Sequence, residues 1–126
     1  MKYQEENIIL TKSYAFALRC VKAYKYLTSV ECMNREFILS KQLLRSATSI
    51  GANIREAVQA QSGADFVAKM NISLKEANET LYWLDLLSDA EYLTPEQSKS
   101  LKDDCEELLR ILTSIIKTTR NKLADK

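Results

Sequence analysis

The chain contains no histidine, and this absence removes several classes of site. Ser-His and Cys-His nucleophiles need an imidazole base, and the carboxylate–histidine sites of di-iron bundles need one as a ligand. Nearly all zinc sites other than all-cysteine ones also use histidine. The three cysteines, Cys20, Cys32 and Cys105, are odd in number and show no C-x-x-C spacing. We expect them to be reduced, buried thiols in a cytoplasmic protein that holds no metal and no cofactor.

Glycine and proline are also scarce, with two and one in 126 residues. Because both residues concentrate in turns, few turns and long elements are expected. The length is that of one domain, and a domain of this size buries about two-thirds of the surface that its unfolded chain exposes. The N-terminus lacks the apolar core of a secretory signal, and no run approaches the roughly 18 apolar residues of a membrane span. Composition therefore indicates a single all-helical domain, residues 1–126, with no membrane contact.

The net charge of +1 is unevenly distributed along the chain. Residues 1–60 carry nine basic and five acidic side chains, residues 61–107 carry four and eleven, and residues 108–126 carry five and one. Such a distribution can steer partners or pair subunits. It lacks the strong overall basicity of a dedicated nucleic-acid-binding domain.

Apolar residues recur at alternating spacings of three and four in four segments, which indicates four amphipathic helices. Helix 1 is expected within residues 7–30, helix 2 from about 34 to 60, helix 3 from the Gly63 break to about 88, and helix 4 from 95. The predicted core positions are Leu10, Tyr14, Ala17, Val21 and Tyr24; Ser40, Leu43, Ala47, Ile50, Ile54 and Ala57; Phe66, Met70, Ser73, Ala77, Leu81 and Leu84; and Leu101, Cys105, Leu108, Leu112, Ile115 and Thr119. Short links between such helices predict an all-α, antiparallel, up-down-up-down four-helix bundle.

Three local signals accompany these helices. Ser62 followed by Asp65 resembles a capping box before helix 3. The run Thr94-Pro95-Glu96-Gln97 gives helix 4 an N-cap, a proline at its first position and a glutamine at its third. In helix 2, Ala47 and Gly51 are one turn apart, and their small side chains would let a neighbouring helix approach closely, which is a structural reason for a mid-helix glycine.

Helix 3 has a second apolar face. At about 100° per residue, Ile72, Trp83, Leu86 and Ala90 lie almost opposite the core position Met70. In a solitary bundle that side would face water, and an apolar patch containing a tryptophan is typical of a protein–protein contact. We therefore predict a self-association surface with Trp83 as its anchor. In the alternative interpretation, Trp83 simply lies along the bundle surface.

Two carboxylates, Glu76 and Glu79, lie on or beside this second face. A carboxylate inside an apolar contact must be paired, because burying it alone is very costly. Helix 2 offers Arg45 and Arg55 away from its core positions, so we predict Glu–Arg pairs across the contact. The predicted oligomer interface comprises Ile72, Glu76, Glu79, Trp83, Leu86, Arg45 and Arg55.

Two stretches resemble a known family. They are RSATSIGANIREAVQAQSGADF, residues 45–66, and NISLKEANETLYWLDLL, residues 71–87, and both are similar to the bacterial four-helix bundle proteins, also called 23S rRNA intervening-sequence or S23 proteins. KSYAFAL near the start and ELLRILTSIIK near the end also fit, so the likeness covers nearly the whole chain. One departure is NIREA where many members read NIxEG, although an NIxEA branch is also familiar.

The resemblance implies a four-helix bundle that assembles into a ring-like homopentamer. The family name comes from genes within insertions in 23S rRNA genes, and it does not imply a ribosome component. A related branch serves as the accessory protein of diversity-generating retroelements and binds RNA and reverse transcriptase through a strongly basic surface. Most members have no established activity.

RNA or another nucleic-acid-associated molecule is accordingly a candidate partner. The candidate nucleic-acid contacts are the basic residues of helix 1 (Lys12, Arg19, Lys22 and Lys25) and of helix 4 (Arg110, Lys117, Arg120 and Lys122). The alternative is a solvated face balanced by the acidic middle of the chain, and near neutrality favours it. A module that binds a protein partner without nucleic acid also fits the sequence.

An enzyme is the remaining hypothesis. Glu56, Glu76 and Glu79, together with Asn53 and Arg55, would gather where helices 2 and 3 adjoin, and paired carboxylates can act as acid and base or bind Mg²⁺. Glu76 and Glu79 also have the i,i+3 spacing of simple ion pairing on a helix. Since the chain has no nucleophile motif, phosphate loop or histidine, we predict that it has no catalytic residues.

Overall fold

The computed structural model describes residues 2–125, with side chains from residue 7 onward. Four helices account for most of this part of the chain: α1 Lys2–Leu27, α2 Leu39–Ala57, α3 Gly63–Asp89 and α4 Pro95–Ala124. Helix α1 packs against α2 and α4, and α3 packs against the same two helices. Within the described residues α1 and α3 are not adjacent, since none of their Cα atoms lie within 8 Å of one another, so they occupy diagonal corners of an all-α four-helix bundle.

Contacts between sequential helices pair residues whose numbers run in opposite directions. From α2 to α3, Ser46 accepts a hydrogen bond from Thr80 at 2.8 Å, and the carbonyl of Ile50 accepts one from Ser73 at 2.9 Å. From α3 to α4, Cys105 contacts the Ala77 carbonyl at 3.3 Å. This order of contacts is the one expected of neighbouring antiparallel helices joined by short links.

The core lies at the centre of the four helices and is formed as expected on α2 and α4. All six predicted core positions of α2 are buried, and so are all those of α4 except the half-buried Thr119. On α3 the only predicted position that is not fully buried is Leu81. Three buried hydroxyls, Ser46, Ser73 and Thr80, are hydrogen-bonded at the α2–α3 contact.

The predicted orientation of α1 is wrong. None of its five predicted core residues is fully buried, and Tyr14 is 62% exposed. The core positions are Ile9, Ser13, Phe16, Cys20 and Leu27. Apolar residues lie around most of this helix, so two stripes with a spacing of three and four are present. The predicted stripe lies about 100° around the helix from the one that is buried. The interpretation of Tyr14 as a core packing residue is therefore also wrong.

The start of α2 is later than predicted, at Leu39 instead of about residue 34, because residues 28–38 form a connecting segment. The buried carboxylate of Glu36 accepts hydrogen bonds from the backbone N–H groups of Ile38, Leu39 and Ser40. These are orphan donors of the first helical turn, so Glu36 caps α2 in place of the N-cap side chain. The same segment leaves Val30, Met33 and Ile38 largely exposed.

Helix α1 begins at Lys2, five residues before the predicted range, and α2 ends at Ala57, three residues before its predicted end, whereas the starts of α3 and α4 agree with the sequence signals. Ser62 accepts a hydrogen bond from the Asp65 backbone, and Thr94 forms a reciprocal capping box with Gln97. Helix α3 ends at Asp89, and two residues later Glu91 has φ 68°. The Tyr92 N–H donates to the Leu87 carbonyl at 2.8 Å. This is the pattern of a Schellman motif with glutamate at the position that glycine usually occupies.

Candidate self-association and basic surfaces

A charged cluster joins α2 to α3 on the predicted interface side. The Arg45 guanidinium donates to Glu79 through Nη2 and to Glu76 through Nη1, the latter at 3.3 Å. The Trp83 indole N–H donates to Glu79 Oε2 at 2.9 Å. Both glutamates therefore have their counter-charge within the same chain, whereas the sequence analysis placed Glu–Arg pairs across a contact between copies.

Trp83 lies partly over the core, and other residues are more exposed on this face. Its ring is half-buried and packs against the core cluster, with the ring of Tyr82 edge-on at a centroid distance of 5.1 Å. Ile72 is 44% exposed and Tyr82 58%, while Leu86 is half-buried. The α3 outer face is thus Ile72, Tyr82 and Leu86, bordered by Glu79.

Tyr82 was missed in the sequence analysis. Viewed down the helix axis, the buried side chains of α3 point on average in a direction between Met70 and Thr80, not in the direction of Met70 itself. This rotation moves the outward direction from Trp83 towards Tyr82. The signal that could have found Tyr82 is the pair of small polar residues, Ser73 and Thr80, which mark the side of α3 that contacts α2.

A second apolar surface lies on α1 and was also missed. Tyr14 and Leu18, 62% and 46% exposed, point away from the bundle one turn apart, and the half-buried Val21 follows on the same side. We call Tyr14, Leu18 and Val21 the α1 outer face. Because α1 and α3 occupy diagonal corners, the two outer faces lie on different sides of the molecule.

Arg55 does not join the Arg45 cluster. It is exposed, has no ion pair in the described part of the chain, and borders a groove between α1 and α2 together with Tyr14 and Gly51. It follows Arg45 by ten residues, which is about 15 Å along the helix. Glu76 and Glu79 are therefore paired by Arg45 and not by Arg55.

The candidate basic residues do not form one surface. On α1, Lys12 pairs with Glu107 at 3.3 Å, and Arg19 pairs with Asp104 at 2.6 Å and donates to Ser100. These two cations bind the acidic part of α4. The other six, which have no ion pair among the described residues, are Lys22, Lys25, Arg110, Lys117, Arg120 and Lys122.

Five of the six unpaired cations are divided between the two ends of the bundle, and the sixth, Arg110, lies midway along α4. Lys22 and Lys25 lie near the α3–α4 link, whereas Lys117, Arg120 and Lys122 lie near the opposite end of α4. Counting residues along α4 separates the two groups by about 30 Å. Lys117 and Arg120 border one groove between α3 and α4 with Asn71 and Asn121.

The carboxylates of the enzyme hypothesis are not gathered together. Glu56 contacts Lys69 at 3.9 Å, seven residues before Glu76 on α3 and about 10 Å from it along the helix. Asn53 donates to the Ser49 carbonyl of its own helix at 2.9 Å. Across the described residues, no three metal-ligating side chains come together. The three carboxylates of the enzyme hypothesis therefore do not form one site.

The cysteines are free thiols in the protein interior. Burial raises the pKa of Cys20 to about 12, with Cys105 next in effect. Burial likewise raises the pKa of Cys105 to about 12, and Glu106 and Asp104 add to it. Both thiols are therefore protonated and unreactive at neutral pH.

Among the described residues, no helix has the length and apolar character needed to span a membrane.

Comparison with known proteins agrees with the two motif-bearing stretches. Residues 5–114 match the family described as 23S rRNA-intervening sequence protein. The chain belongs to this family. A crystal structure of a protein of unknown function from the S23 ribosomal protein family of Bacteroides thetaiotaomicron is 56% identical to it, with a TM-score of 0.86. That likeness covers 90% of this chain and 98% of the other. Among curated proteins no match was found.

Membership of the 23S rRNA-intervening sequence family confirms the resemblance stated from the sequence. It also agrees with the four helices, because a solved relative of this identity shares the fold over nearly its whole length. The family description names no activity, and the related crystal structure is of a protein with unknown function. The activity of this chain must therefore be inferred from its own surfaces.

Proposed function

We propose that the protein is a non-catalytic, self-associating scaffold of the cytoplasm, built from identical four-helix bundles. The observation that carries the proposal is the α3 outer face, where Tyr82, 58% exposed, lies one turn from the half-buried Leu86, and Ile72, 44% exposed, lies ten residues before Tyr82 on the same helix. An apolar surface exposed on one side of a helix marks an interaction site. The buried, unpaired thiols suit a reducing compartment. The family resemblance adds a ring-like homopentamer as the form of assembly.

The geometry of the carboxylates supports the non-catalytic part of the proposal. Glu76 and Glu79 are both bound by Arg45, and Glu79 also accepts the Trp83 indole N–H. A general acid or base must be free to exchange a proton with a substrate. These carboxylates instead serve as hydrogen-bond acceptors that fix α2 against α3.

Light scattering coupled to size-exclusion chromatography tests self-association. We expect the purified chain to show a mass of several copies of 14.4 kDa, and Ile72→Glu to reduce that mass because it places a charge in the contact. Thr118→Glu, which adds the same charge at an exposed position on α4, is the matched control and should leave the mass unchanged. A wild-type protein with the mass of one copy would refute the proposal.

Nucleic-acid association is a second candidate function, and one observation favours it. Arg110, Lys117, Arg120 and Lys122 are exposed, and no ion pair engages them in the described part of the chain. The last four turns of α4 therefore present free cations to solvent. Ring assembly would repeat them once per copy, which would multiply contacts to a phosphate backbone.

Filter binding to a structured RNA across a salt series tests this candidate. We expect the logarithm of the affinity to fall linearly with the logarithm of the salt concentration, because each phosphate contact releases bound counterions. Replacing both Lys117 and Arg120 by Glu should weaken binding at least tenfold and flatten the salt slope. Replacing both Lys22 and Lys25 by Glu, at the other end, should leave that slope unchanged. Binding that ignores salt, or no binding, would instead favour a protein partner.

A further inference from the structure

A cleft lies at the end of the bundle where α3 is linked to α4. The connecting segment 28–38 forms one wall with Met33 and Asn34, and the α3–α4 link forms the other with Tyr92 and Pro95. Its volume is about 590 Å³, within the roughly 300–1,000 Å³ of ligand-binding clefts. No residue of the α1 or α3 outer face lines it, so it is a separate surface of the molecule.

The walls of the cleft are largely apolar and aromatic. Tyr26 and Tyr92 bring two rings to it, and the side chain of Met33 is 99% exposed. Apolar exposure continues on the same connecting segment, where Val30 is 79% exposed and Ile38 is 75% exposed. Exposed apolar side chains that extend beyond the cleft indicate a macromolecular partner instead of a small molecule.

The charged side chains that line the cleft are both acidic. Asp89 and Glu91 are exposed, and no ion pair engages either of them in the described part of the chain. Lys102 of α4 is bound to Asp85 at 2.6 Å, which is the main cause of its raised pKa, and Asp89 contributes less. Helix α3 also has no basic residue in its last turn to offset the negative end of its dipole. The cleft therefore presents negative charge that none of its own side chains offsets.

The basic residues at this end of the molecule lie outside the cleft. Lys22 borders an adjoining groove on α1, which shares Tyr26 and Leu93 with the cleft. The other exposed charges at this end line neither the cleft nor that groove, and they are Lys25, Glu31, Arg35, Lys41 and Glu96. Since like charges disfavour contact, the cleft selects against a phosphate-rich partner and favours one that brings a cation.

We propose that the cleft is a docking site for a segment of a partner protein in which an arginine or lysine is flanked by apolar side chains. The cation of that segment pairs with Asp89 and Glu91 and lies against the rings of Tyr26 and Tyr92, because aromatic faces attract cations. Its apolar side chains cover Met33 and the exposed apolar residues of the connecting segment. The site goes beyond self-association, since it uses neither outer face.

Fluorescence anisotropy with two matched peptides tests the docking site. The probe is the fluorescein-labelled peptide Leu-Arg-Leu-Leu-Arg-Leu, and the control peptide has glutamate in place of both arginines. We expect the wild-type protein to bind the probe and to bind the control peptide at least about tenfold more weakly, because the glutamates would meet Asp89 and Glu91. The affinity for the probe should also fall as the salt concentration rises, since the carboxylates are exposed.

Two pairs of substitutions locate the binding. Asp89→Asn combined with Glu91→Gln removes both carboxylates of the cleft, and we expect it to weaken probe binding at least about tenfold. Glu31→Gln combined with Glu96→Gln removes the same charge at the same end of the bundle but outside the cleft, and it should leave the affinity unchanged. Circular dichroism of each variant verifies the helical fold before the titration.

The other results overturn the docking site. They are a wild-type protein that binds neither peptide or binds both equally, and a cleft variant that binds the probe as tightly as the wild type. Equal losses in the two pairs of substitutions would also refute it, because general charge would then explain the binding. Light scattering gives a separate readout, so a wild-type protein that binds the probe as a single copy would refute the proposed self-association and leave the docking site standing.

Discussion

Helices α2 and α4 differ from α1 and α3 in how many of their sides are apolar. On α2, every predicted core residue is buried, and the opposite side holds charged or polar groups such as Lys41 and Arg45. On α1, the buried stripe through Phe16 and Cys20 is accompanied by an exposed stripe through Tyr14 and Leu18. A helix with one apolar side has one way to lie in a bundle, and a helix with two has a second surface left to cover.

The arrangement of the two kinds of helix is informative in itself. The two-sided helices α1 and α3 are diagonal, and each lies between the two one-sided helices. Consequently α1 and α3 expose apolar side chains on different sides of the bundle, in addition to the exposed apolar residues of the segment 28–38. The following experiments can break or sharpen this difference between the two pairs of helices.

The largest expected effect is the difference in stability between a leucine-to-alanine substitution at a buried position and the same substitution at an exposed one. Leu43→Ala in α2 removes a fully buried side chain, and we expect it to lower the free energy of unfolding by about 2–4 kcal/mol. Leu18→Ala on α1 should change it by less than about 0.5 kcal/mol, because this side chain is already 46% exposed. Urea denaturation measures both effects.

Both stability measurements belong in the Ile72→Glu background, because assembly would otherwise add to the apparent stability. A Leu18→Ala variant destabilised as much as Leu43→Ala would show that Leu18 is a core residue of the single bundle. The comparison between one-sided and two-sided helices would then fail.

The next effect concerns the cap of α2. Burial would by itself raise the pKa of Glu36, but hydrogen bonds from the backbone of Leu39, Ser40 and Ile38 outweigh it and hold that pKa below its ordinary value. Because the folded pKa is the lower one, the stabilisation is present above the ordinary pKa and is lost as the pH falls through the folded value. We expect Glu36→Ala to cost about 1–2 kcal/mol near neutral pH.

Denaturation curves at pH 7 and at decreasing acidic pH values check the cap. The difference in unfolding free energy between wild type and Glu36→Ala should shrink as the pH falls. Glu31→Ala, in the same connecting segment and exposed, is the matched control and should show no such convergence. A difference that stays constant with pH would contradict the role of the ionised carboxylate.

The same comparison explains how much of the molecule could be predicted from sequence. The fold, the two caps and the α2 and α4 core positions were accessible, because periodicity in a one-sided helix has a single interpretation. The orientation of α1 was not, since both of its stripes have the spacing of a core. The late start of α2 was also inaccessible, because a glutamate two residues before the N-cap is not a recognised capping signal.

The site was predictable in its residue types but not in its pairing. Arg45, Glu76, Glu79 and Trp83 do lie together, yet they bind one another inside one chain. Sequence spacing places side chains on faces of a helix, but it does not show which neighbouring helix lies within reach. For the same reason the basic residues of α1 and α4 were grouped together although two of them are bound to acidic residues of α4.

An intermediate effect is expected at the cluster that joins the two kinds of helix. Arg45→Ala leaves Glu76 and Glu79 without their shared cation, and we expect a loss of about 0.5–1 kcal/mol, since the guanidinium is half exposed. The chain has one tryptophan, so intrinsic fluorescence reports on Trp83 alone. We expect the emission spectrum to change, because the Glu79 carboxylate bound to the indole N–H is no longer held by Arg45.

Arg55→Ala is the matched control for this change. Arg55 lies on the same helix, is exposed and has no ion pair in the described residues, so both stability and fluorescence should stay at their wild-type values. Equal effects of the two substitutions would mean that Arg45 acts only through general charge. The cluster would then not explain how α3 is fixed on α2.

The smallest effect concerns a glycine in the middle of α2. A Cβ built on Gly51 would meet Ser13 Oγ at 3.5 Å, which is an ordinary contact, so packing within one chain does not require glycine there. The predicted close approach of a neighbouring helix is present, since Ser13 of α1 lies against Gly51, but it leaves room for a methyl group and does not by itself require glycine. Gly51→Ala should raise the free energy of unfolding by about 0.5–1 kcal/mol, because alanine has the higher helix propensity.

Gly63→Ala is the contrasting control, since its Cβ would lie 2.6 Å from Leu123 Cδ2 and that side chain would have to move. We expect it to stabilise the fold less than Gly51→Ala in the same urea titration. Gly51 lies beside Tyr14 in the groove between α1 and α2, next to the α1 outer face. A Gly51→Ala variant that is more stable as a single copy but assembles less well would show that the glycine serves self-association. One that is less stable as a single copy would show that α1 cannot accommodate a methyl group at position 51.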